Sequence, residues 1–584
     1  MGEIRPSTPE DTMWTRNRIA PALVVLAVAL AACAPRPSPT ATETADASRV
    51  PAQPTRLTAA ILADPPVITP KIEKVLPGSE AMEVLVNSAL AVNAGGGALS
   101  PQLAERVPSV ENGLWRVLPD GKMETTWTIK PNVVWHDGTP FTSADLVFTA
   151  TVGMDPATPY FRHAGYKWVE SVETPDLRTV TVRWAQPYTS ADLLFTSSLN
   201  NALYTAPLPK HLLERVYLED KANILDAPYW TDEFVGTGPY RVRQFVRGSH
   251  VLLDANDQYV LGRPKIDTIE LKFISDKDTL ISNVLSGTVE LTLGRGLSLE
   301  EALNAAGRWS DGKAEFGILN WLTMFPQFIN PDPPIVTNVT FRKALMHAID
   351  RQEMVDTIQR GVVPVAHSYL SPNDPSYREV EPSIVRYEFD PRRATQLIES
   401  LGYTRGTDGI FRDPAGQRLS IEARTTGENS IHRPAMLSIA DYWQRVGVGV
   451  DPVFIPPQRA ADREYRATFP AIELLQHPNS LEGLSRFHSR ETSLPENNFT
   501  LSGNNGRYRN AEFDALVDRF FTTIPAQPRT QLLARIMNRI TDQVTMMGLF
   551  YQTEPALIGS RLQNVAAKKE GSTPVWNVHE WSLK

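Results

Sequence analysis

The 584-residue sequence contains a single cysteine, Cys33. One thiol cannot form a disulfide within the chain or build a cysteine-ligated zinc site. The ten histidines are dispersed and include no His-x-His or His-Glu-x-x-His pair, so the sequence predicts no metal site and no cofactor.

Signatures of common enzyme classes are also missing. There is no Gly-x-Ser-x-Gly elbow and no phosphate-binding P-loop. The segment SDGK (residues 310–313) fits Ser-x-x-K, but its central Asp-Gly is typical of a turn, and the partner motifs of penicillin-recognising enzymes are absent. We therefore expect a protein that is not an enzyme.

Long basic runs are absent, and the formal net charge is -8. A nucleic-acid or polyanion partner needs clustered positive charge, so both classes of ligand are excluded. The composition is otherwise ordinary, with 42% hydrophobic and 21% charged residues. Such a chain can bury several hydrophobic cores, and its length favours two or three domains.

Only residues 19–33, IAPALVVLAVALAAC, form a long apolar run. Arg16 and Arg18 precede the run, and small residues lead to Cys33, which is the pattern of a bacterial lipoprotein signal peptide. We expect residues 1–32 to be the signal peptide, with Met1 or Met13 as the start. Cys33 is then the lipid-attachment site, and two acyl chains suffice for stable anchoring to the cell membrane. Because acylation uses the only thiol of the chain, cysteine-nucleophile chemistry is excluded.

Residues 33–55 are rich in Pro, Thr and Ala and have few large apolar side chains. That composition predicts a disordered tether between the lipid and the folded body.

The body, residues 56–584, alternates predicted strands with predicted helices, which indicates an α/β or mixed α+β fold. Period-two alternation predicts strands over residues 125–130, 178–184 and 268–274. Apolar spacing and capping residues predict helices over residues 276–287 and 340–361.

Five colinear motifs then carry a resemblance to a known family. They are PNVVWHDGTPFTSADLVFT (131–149), GTGPYRV (236–242), VTFRKALMHAIDRQEMV (339–355), YEFDPRRATQLIESLGY (387–403) and GRYRNAEFDALVDRF (506–520). With LAE at residues 103–105, this series resembles the family 5 extracytoplasmic solute-binding proteins of ABC importers, the oligopeptide- and dipeptide-binding group.

The resemblance implies a periplasmic-binding-protein-like class II fold with two lobes, a hinge and three domains. Domain I would combine residues 56–95, 206–312 and 545–584, domain II would be the inserted residues 96–205, and domain III would be residues 313–544. It also implies a monomer that encloses its ligand between the lobes and delivers it to ABC permease and ATPase subunits.

The same resemblance suggests ligand-binding positions. Tyr160 corresponds to an aromatic residue that reaches toward the cleft, and Leu291 begins a crossing point between lobes. Trp321 and Asn330 enter the second lobe where the family lines its pocket, although core packing is the alternative for Trp321. Glu473 and Gln476 lie on the strand that carries the aspartate for a peptide's amino terminus in oligopeptide binders, but the Gly-Trp-x-x-Asp pattern is missing here.

Three functions remain open at this point. The first is capture of an oligopeptide-like ligand for import. The second is the same architecture binding an oligosaccharide, with Trp184, Trp321 and Trp443 as conceivable stacking platforms. The third is a lipoprotein that senses a ligand for a partner rather than transporting it.

Overall fold

The computed structural model describes residues 54–69, 76–161, 164–197, 206–427, 430–500, 503–567 and 572–584. Cys33, the predicted signal peptide and nearly all of the predicted tether lie outside these residues. Residues 54–584 form one compact unit.

The strands of the described residues are β1 (Arg56–Ile61), β2 (Ala91–Asn93), β3 (Leu99–Pro101), β4 (Trp115–Val117), β5 (Met123–Thr128), β6 (Val169–Glu173), β7 (Thr179–Trp184), β8 (Thr196–Ser197), β9 (Tyr240–Val246), β10 (His250–Ala255), β11 (Thr268–Phe273), β12 (Leu291–Leu293), β13 (Gly312–Pro326), β14 (Thr404–Arg405), β15 (Phe411–Arg412), β16 (Ser420–Thr426), β17 (Gly449–Ile455), β18 (Ile472–His477), β19 (Met547–Gly559), β20 (Leu562–Gln563) and β21 (Ser582–Leu583). Small separate sheets contain β2, β3, β8, β14, β15, β20 and β21, and the other strands build the two larger sheets.

The α-helices of the same residues are α1 (Ser79–Val86), α2 (Ser143–Met154), α3 (Lys210–Glu219), α4 (Lys277–Leu285), α5 (Leu299–Ala306), α6 (Val339–His347), α7 (Arg351–Ile358), α8 (Tyr377–Val380), α9 (Pro391–Ser400), α10 (His432–Arg445), α11 (Arg463–Ala467), α12 (Ala511–Thr522) and α13 (Ala526–Asp542). None of the helices in the described part of the chain has the length and hydrophobicity that a membrane crossing requires.

A ten-stranded sheet runs through the molecule in the order β17-β16-β18-β13-β19-β12-β1-β11-β10-β9. Its two central strands, β13 and β19, are long and pair antiparallel with each other. β18 pairs with the second half of β13, whereas β12 pairs with β19 near its end, where Leu291 faces Ile558. The two central strands therefore join one group of strands to the other.

The hydrophobic clusters follow the same division. The second half of β13 and the first half of β19 contribute Trp321–Phe325 and Met547–Tyr551 to the largest cluster. Leu557 and Ile558, near the end of β19, belong to two other clusters. The pairing register shifts between Ile318 and Asn320, in the stretch between these cores. The predicted three-domain boundaries stay a prediction.

A separate four-stranded sheet has the order β4-β5-β7-β6. Its strands confirm the predictions for residues 125–130 and 178–184, because β5 and β7 pair antiparallel. The adjoining motif, residues 131–149, forms a tight turn followed by a helix cap. In the turn, Asp137 Oδ1 accepts from Thr139 N at 3.0 Å, and Gly138 has a φ of 88°. Thr142 and Asp145 form a capping box at the start of α2, so this motif builds scaffold rather than a ligand site.

The prediction of one continuous helix over residues 340–361 is wrong. The structure has two helices there, α6 and α7, because Asp350 caps a new helix by accepting from Glu353 N. The sequence pattern missed the break since the apolar spacing continues through it. The helix predicted over residues 276–287 is confirmed as α4, with Asp276 as its N-cap.

The arginine of the Arg-x-Ala-Leu motif is a buried structural residue. Arg342 is buried and donates to the carbonyl oxygens of Val336, Gln543 and Val544 at 2.7–3.0 Å. Its guanidinium also lies 4.7 Å from the centre of the Phe328 ring. The side chain thereby ties the start of α6 to the end of α13.

The GTGPY motif is explained by close backbone packing. A Cβ atom added at Gly236 would lie 2.0 Å from Val86 O, and one at Gly238 would lie 2.3 Å from Val86 C. Between them, Thr237 Oγ1 donates to Ser88 O at 2.8 Å. Only glycine allows this strand entry to lie against the end of α1.

We expect Gly238→Ala to lower the free energy of unfolding by at least about 1–3 kcal/mol, because the new methyl group overlaps backbone atoms that cannot move independently. Urea denaturation measures the change. Gly307→Ala is the matched control: Gly307 has a φ of -65°, and its nearest neighbour would lie 3.4 Å from the added Cβ. Equal destabilisation in both variants would contradict the packing explanation.

Candidate functional site

A cavity of about 540 Å³ lies between two distant parts of the chain. Residues 167–190 line one side, and residues 478–490 together with the end of α12 line the other. A second cavity of about 240 Å³ shares Ser190, Ser480, Glu482 and Phe521 with the first, so the two adjoin. We name residues 93–193 the first wall and residues 374–529 the second wall.

The cavity-lining residues of the first wall lie mostly in short turns next to the four-stranded sheet β4-β5-β7-β6. Trp168 and Tyr188 flank strands β6 and β7, and Asp192 lies in a single helical turn, residues 191–193. Gly96 and Gly97 also line the smaller cavity, in a loop that Asn93 Oδ1 holds by accepting from Gly95 N at 2.7 Å. From the sequence alone, the three glycines at residues 95–97 predict only a flexible loop and give no indication of a cavity.

The second wall continues from the end of β18. Residues 478–486 form a loop and a turn of 3-10 helix, in which Tyr369 donates its hydroxyl to Ser480 O at 2.6 Å. A Cβ at Gly483 would lie 2.4 Å from the same hydroxyl oxygen, so this position requires glycine. These contacts fix the backbone that carries Glu482 into both cavities.

Asp192 lines the smaller cavity from the first wall, and Glu482 lines both cavities from the second wall. Within the described part of the chain, neither has a Lys or Arg nitrogen within 4.0 Å. Burial raises the pKa of Asp192 to about 7, with the Arg529 charge acting in the opposite direction. Burial also raises the pKa of Glu482. Both groups thus lose hydration without forming a close ion pair, while Arg529 supplies a longer-range positive charge to Asp192.

The larger cavity also carries positive charge at other points of its lining. Lys167 lies on the first wall, with its Nζ 4.8 Å from the Trp168 ring centre. Arg486 and Arg490 lie on the second wall, and Arg490 Nη1 is 3.3 Å from Asp518 Oδ1. The cavities therefore present both carboxylates and cationic groups, together with aromatic surface.

The six residues predicted from the resemblance do not line these two cavities. Tyr160 is 54% exposed, and Asn330 is exposed in a turn with a φ of 52°. Leu291 is the first residue of β12 and is buried in a hydrophobic cluster. Gln476 is half-buried and pairs with Leu322 on the neighbouring strand. Their roles in binding stay predictions.

Trp321 and the other tryptophans chosen as stacking platforms are core residues. Trp321 is 1% exposed and packs edge-on against Tyr369, with ring centres 5.6 Å apart. Trp184 donates its Nε1 to Thr125 Oγ1, and Trp443 donates to Leu345 O. The platform hypothesis is wrong for these three because hydrophobic clusters surround them; Trp168 lines the cavity instead.

Glu473 is already paired. Its side chain is 1% exposed, and Oε1 accepts from Arg466 Nε at 2.8 Å. Asn505 Nδ2 is 3.5 Å from its other oxygen. The position of Glu473 on the strand made it a candidate binding residue in the sequence analysis. The sequence did not indicate that Arg466 forms an ion pair with this carboxylate.

The segment at residues 310–313 does not form the helix start that Ser-x-x-Lys chemistry needs. Gly312 opens β13, and Lys313 forms an ion pair with Glu315. In the part of the chain described here, no group of three or more His, Cys, Asp or Glu side chains could hold a metal ion.

Comparisons with known proteins agree with this architecture. The family described as bacterial extracellular solute-binding proteins, family 5 Middle, matches residues 98–490. A putative ABC transporter peptide-binding protein of Brucella ovis is 27% identical over 294 residues, which is 50% of this chain and 51% of that protein. The match thus spans about half of that relative's length.

Two further proteins match over most of their length. Oligopeptide-binding protein AppA of Bacillus subtilis is 23% identical over 476 residues, 80% of this chain and 81% of AppA. The structure of NikZ from Campylobacter jejuni in complex with Ni(L-His) aligns with a TM-score of 0.67 at 20% identity, over 90% of this chain and 99% of NikZ. This likeness shows a mixed α/β fold of the periplasmic-binding-protein class II.

We expect Glu473→Ala to lower the free energy of unfolding by about 3–5 kcal/mol, because it leaves the Arg466 guanidinium without its partner in a buried position. Urea denaturation of Glu473→Ala, Arg466→Ala and the double variant measures the coupling, and the double variant should lose less than the sum of the single losses. A Glu473→Ala protein of unchanged stability that no longer binds ligand would restore Glu473 as a binding residue.

Proposed function

Because the chain belongs to the family 5 bacterial extracellular solute-binding proteins, we propose that it captures an oligopeptide-like ligand between the first and second walls and delivers it to an ABC permease. The protein itself performs no chemistry. Separate ATPase subunits supply the energy, and acylation of Cys33 anchors this monomeric protein on the extracytoplasmic side of the cell membrane.

One observation carries the proposal: Asp192 and Glu482 line adjoining cavities from opposite walls without an ion-pair partner among the described residues. A partly buried carboxylate that forms no close ion pair is costly, and a ligand ammonium would supply both a contacting charge and hydrogen bonds. The amino terminus of a peptide is such a group.

The same cavity offers a group that could bind the carboxylate of a peptide. Arg486 lines the larger cavity, and the described residues offer no carboxylate within 4.0 Å of its guanidinium. A peptide carboxylate would form a charge-assisted hydrogen bond there. Between the charged groups, Trp168, Tyr188 and Phe521 offer apolar surface for side chains of any sequence.

An oligosaccharide is the second candidate, and the same aromatic residues favour it. Trp168 and Tyr188 line the larger cavity on the first wall, and Phe521 lines it on the second. Aromatic faces are suitable platforms for sugar rings, while polar groups such as Gln186 and Ser485 could bind hydroxyls. A sugar would, however, leave both carboxylates without a close ion pair.

A thermal-shift screen separates the candidates. We expect a stabilisation of about 2.7 kcal/mol from a peptide at 100 times its dissociation constant, and none from cello-, xylo- or manno-oligosaccharides. N-acetylation of the peptide and Glu482→Gln should each weaken binding by at least about tenfold, since a charge-assisted hydrogen bond is worth about 1.5–3 kcal/mol. Glu496→Gln, at an exposed carboxylate outside both cavities, is the control and should bind as the parent does. Stabilisation by sugars alone would refute the peptide assignment.

The pKa of Asp192, about 7, gives a pH signature. Below that pH the carboxyl is protonated and attracts no ammonium, so peptide affinity should rise between pH 5.5 and 7.5 by up to about tenfold per pH unit. Asp192→Asn should flatten the profile, and an N-acetylated peptide should show none of the rise. Calorimetric titration at several pH values measures it; an unchanged slope in Asp192→Asn would remove Asp192 from the site.

A further inference from the structure

The two walls also meet outside the cavities, at the connection between α12 and α13. Ile524 in this connection is 6% exposed and belongs to a hydrophobic cluster whose other buried members all lie between Leu90 and Phe195. These members include the cores of β5 and β7. A side chain of the second wall therefore completes the hydrophobic core of the first.

Polar contacts hold the same connection on both sides. Thr189 N, on the first wall, donates to Phe521 O at 3.1 Å. Arg529 Nη1 donates to Ile524 O at 3.4 Å, and the Arg529 charge interacts with those of Asp192 and Glu111 on the first wall. The backbone around Ile524 is thus fixed in the position that inserts its side chain.

Ile524 lines neither cavity, although Phe521 and Arg529 beside it do. Moving the walls apart would expose the isoleucine and the cluster surface it covers to water. This cost arises whether or not a ligand is present. The contact therefore favours the closed arrangement in the ligand-free protein.

We propose that Ile524 is a positioning residue that sets the affinity of the cavity without touching the ligand, by holding the two walls together. The apparent dissociation constant of a ligand equals its intrinsic value divided by the fraction of protein in the binding-competent state. Weakening the Ile524 contact lowers that fraction. The effect on affinity rests on the proposed function, whereas the effect on closure does not.

Distance measurement by electron spin resonance tests closure without any ligand. Cys33 is the only native cysteine, so the full chain with Cys33→Ser, in detergent, accepts spin labels only at introduced cysteines. Leu177→Cys and Leu437→Cys are suitable because both positions are exposed, one between β6 and β7 and the other in α10. We expect Ile524→Ala to shift the distance distribution to longer values.

Ile129→Ala is the matched control. Ile129 is 1% exposed in the same cluster, but it lies within the first wall, so its truncation damages the core without removing a contact between walls. Its distance distribution should remain that of the parent. If either alanine variant fails to fold, the pair Ile524→Val and Ile129→Val makes the same comparison with a smaller deletion. An unchanged distribution in the Ile524 variant, or an equal shift in the Ile129 variant, overturns the proposal.

Affinity provides the second readout, with trialanine and N-acetyl-trialanine as probes. Ile524→Ala should raise both dissociation constants by the same factor, about tenfold, because the loss lies in the closed fraction and not in ligand contacts. A change for only one probe would place Ile524 in the ligand site and contradict the proposal. If neither probe binds the parent, a peptide that stabilises it in the thermal-shift screen takes their place, and the proposed function fails if no peptide does so. The distance measurement decides the role of Ile524 in either case.

Discussion

The pairing of β13 with β19 is the interaction on which the rest of the structure depends. These two strands are the only path by which the β17-β16-β18 group and the β12-β1-β11-β10-β9 group become one sheet within the described residues. Their ends are anchored in different hydrophobic clusters, and one register irregularity, between Ile318 and Asn320, lies between those anchors. A shift of register there makes this stretch the natural place to absorb movement of one half against the other.

Two buried arginines cross-link separate segments of the second half of the molecule. Arg342 binds three carbonyl oxygens from two separate segments, and Arg351 binds the carbonyl oxygens of Ala366, Tyr387 and Gly548. Both guanidinium groups are buried, and burial lowers the pKa of each to about 10. Each remains charged at neutral pH and donates to three backbone carbonyl oxygens. The second half of the molecule thus has its own internal cross-links.

Much of the scaffold could be predicted from the sequence, because its motifs are local. The Asp137-Gly138 turn, the Thr142 cap and the Asp276 cap each depend on residues within a few positions of one another. The break at Asp350 was missed because an apolar period continues across a capping residue. Local chemistry predicts elements well, but it does not show where a regular pattern is interrupted.

The site could not be predicted in the same way. Asp192 and Glu482 belong to no motif, and their proximity results from the packing of segments that are far apart in sequence. The strand position of Glu473 gave a candidate, yet Arg466 satisfies its charge, which the strand pattern does not reveal. The buried tryptophans show the same limit, since a large aromatic residue fits a core as well as a binding surface.

The small sheet β4-β5-β7-β6 shares no strand with the ten-stranded sheet, although residues at its edge form one wall of the cavity. The hydrophobic core of this sheet is almost self-contained. Among the described residues, Ile524 is the one buried residue of this cluster that lies outside residues 90–195. Substitutions on that wall therefore do not disturb the pairing of the central strands. In evolutionary terms, the lining of the cavity can diverge by changes in one module, while the strands that join the two halves of the molecule stay under separate selection.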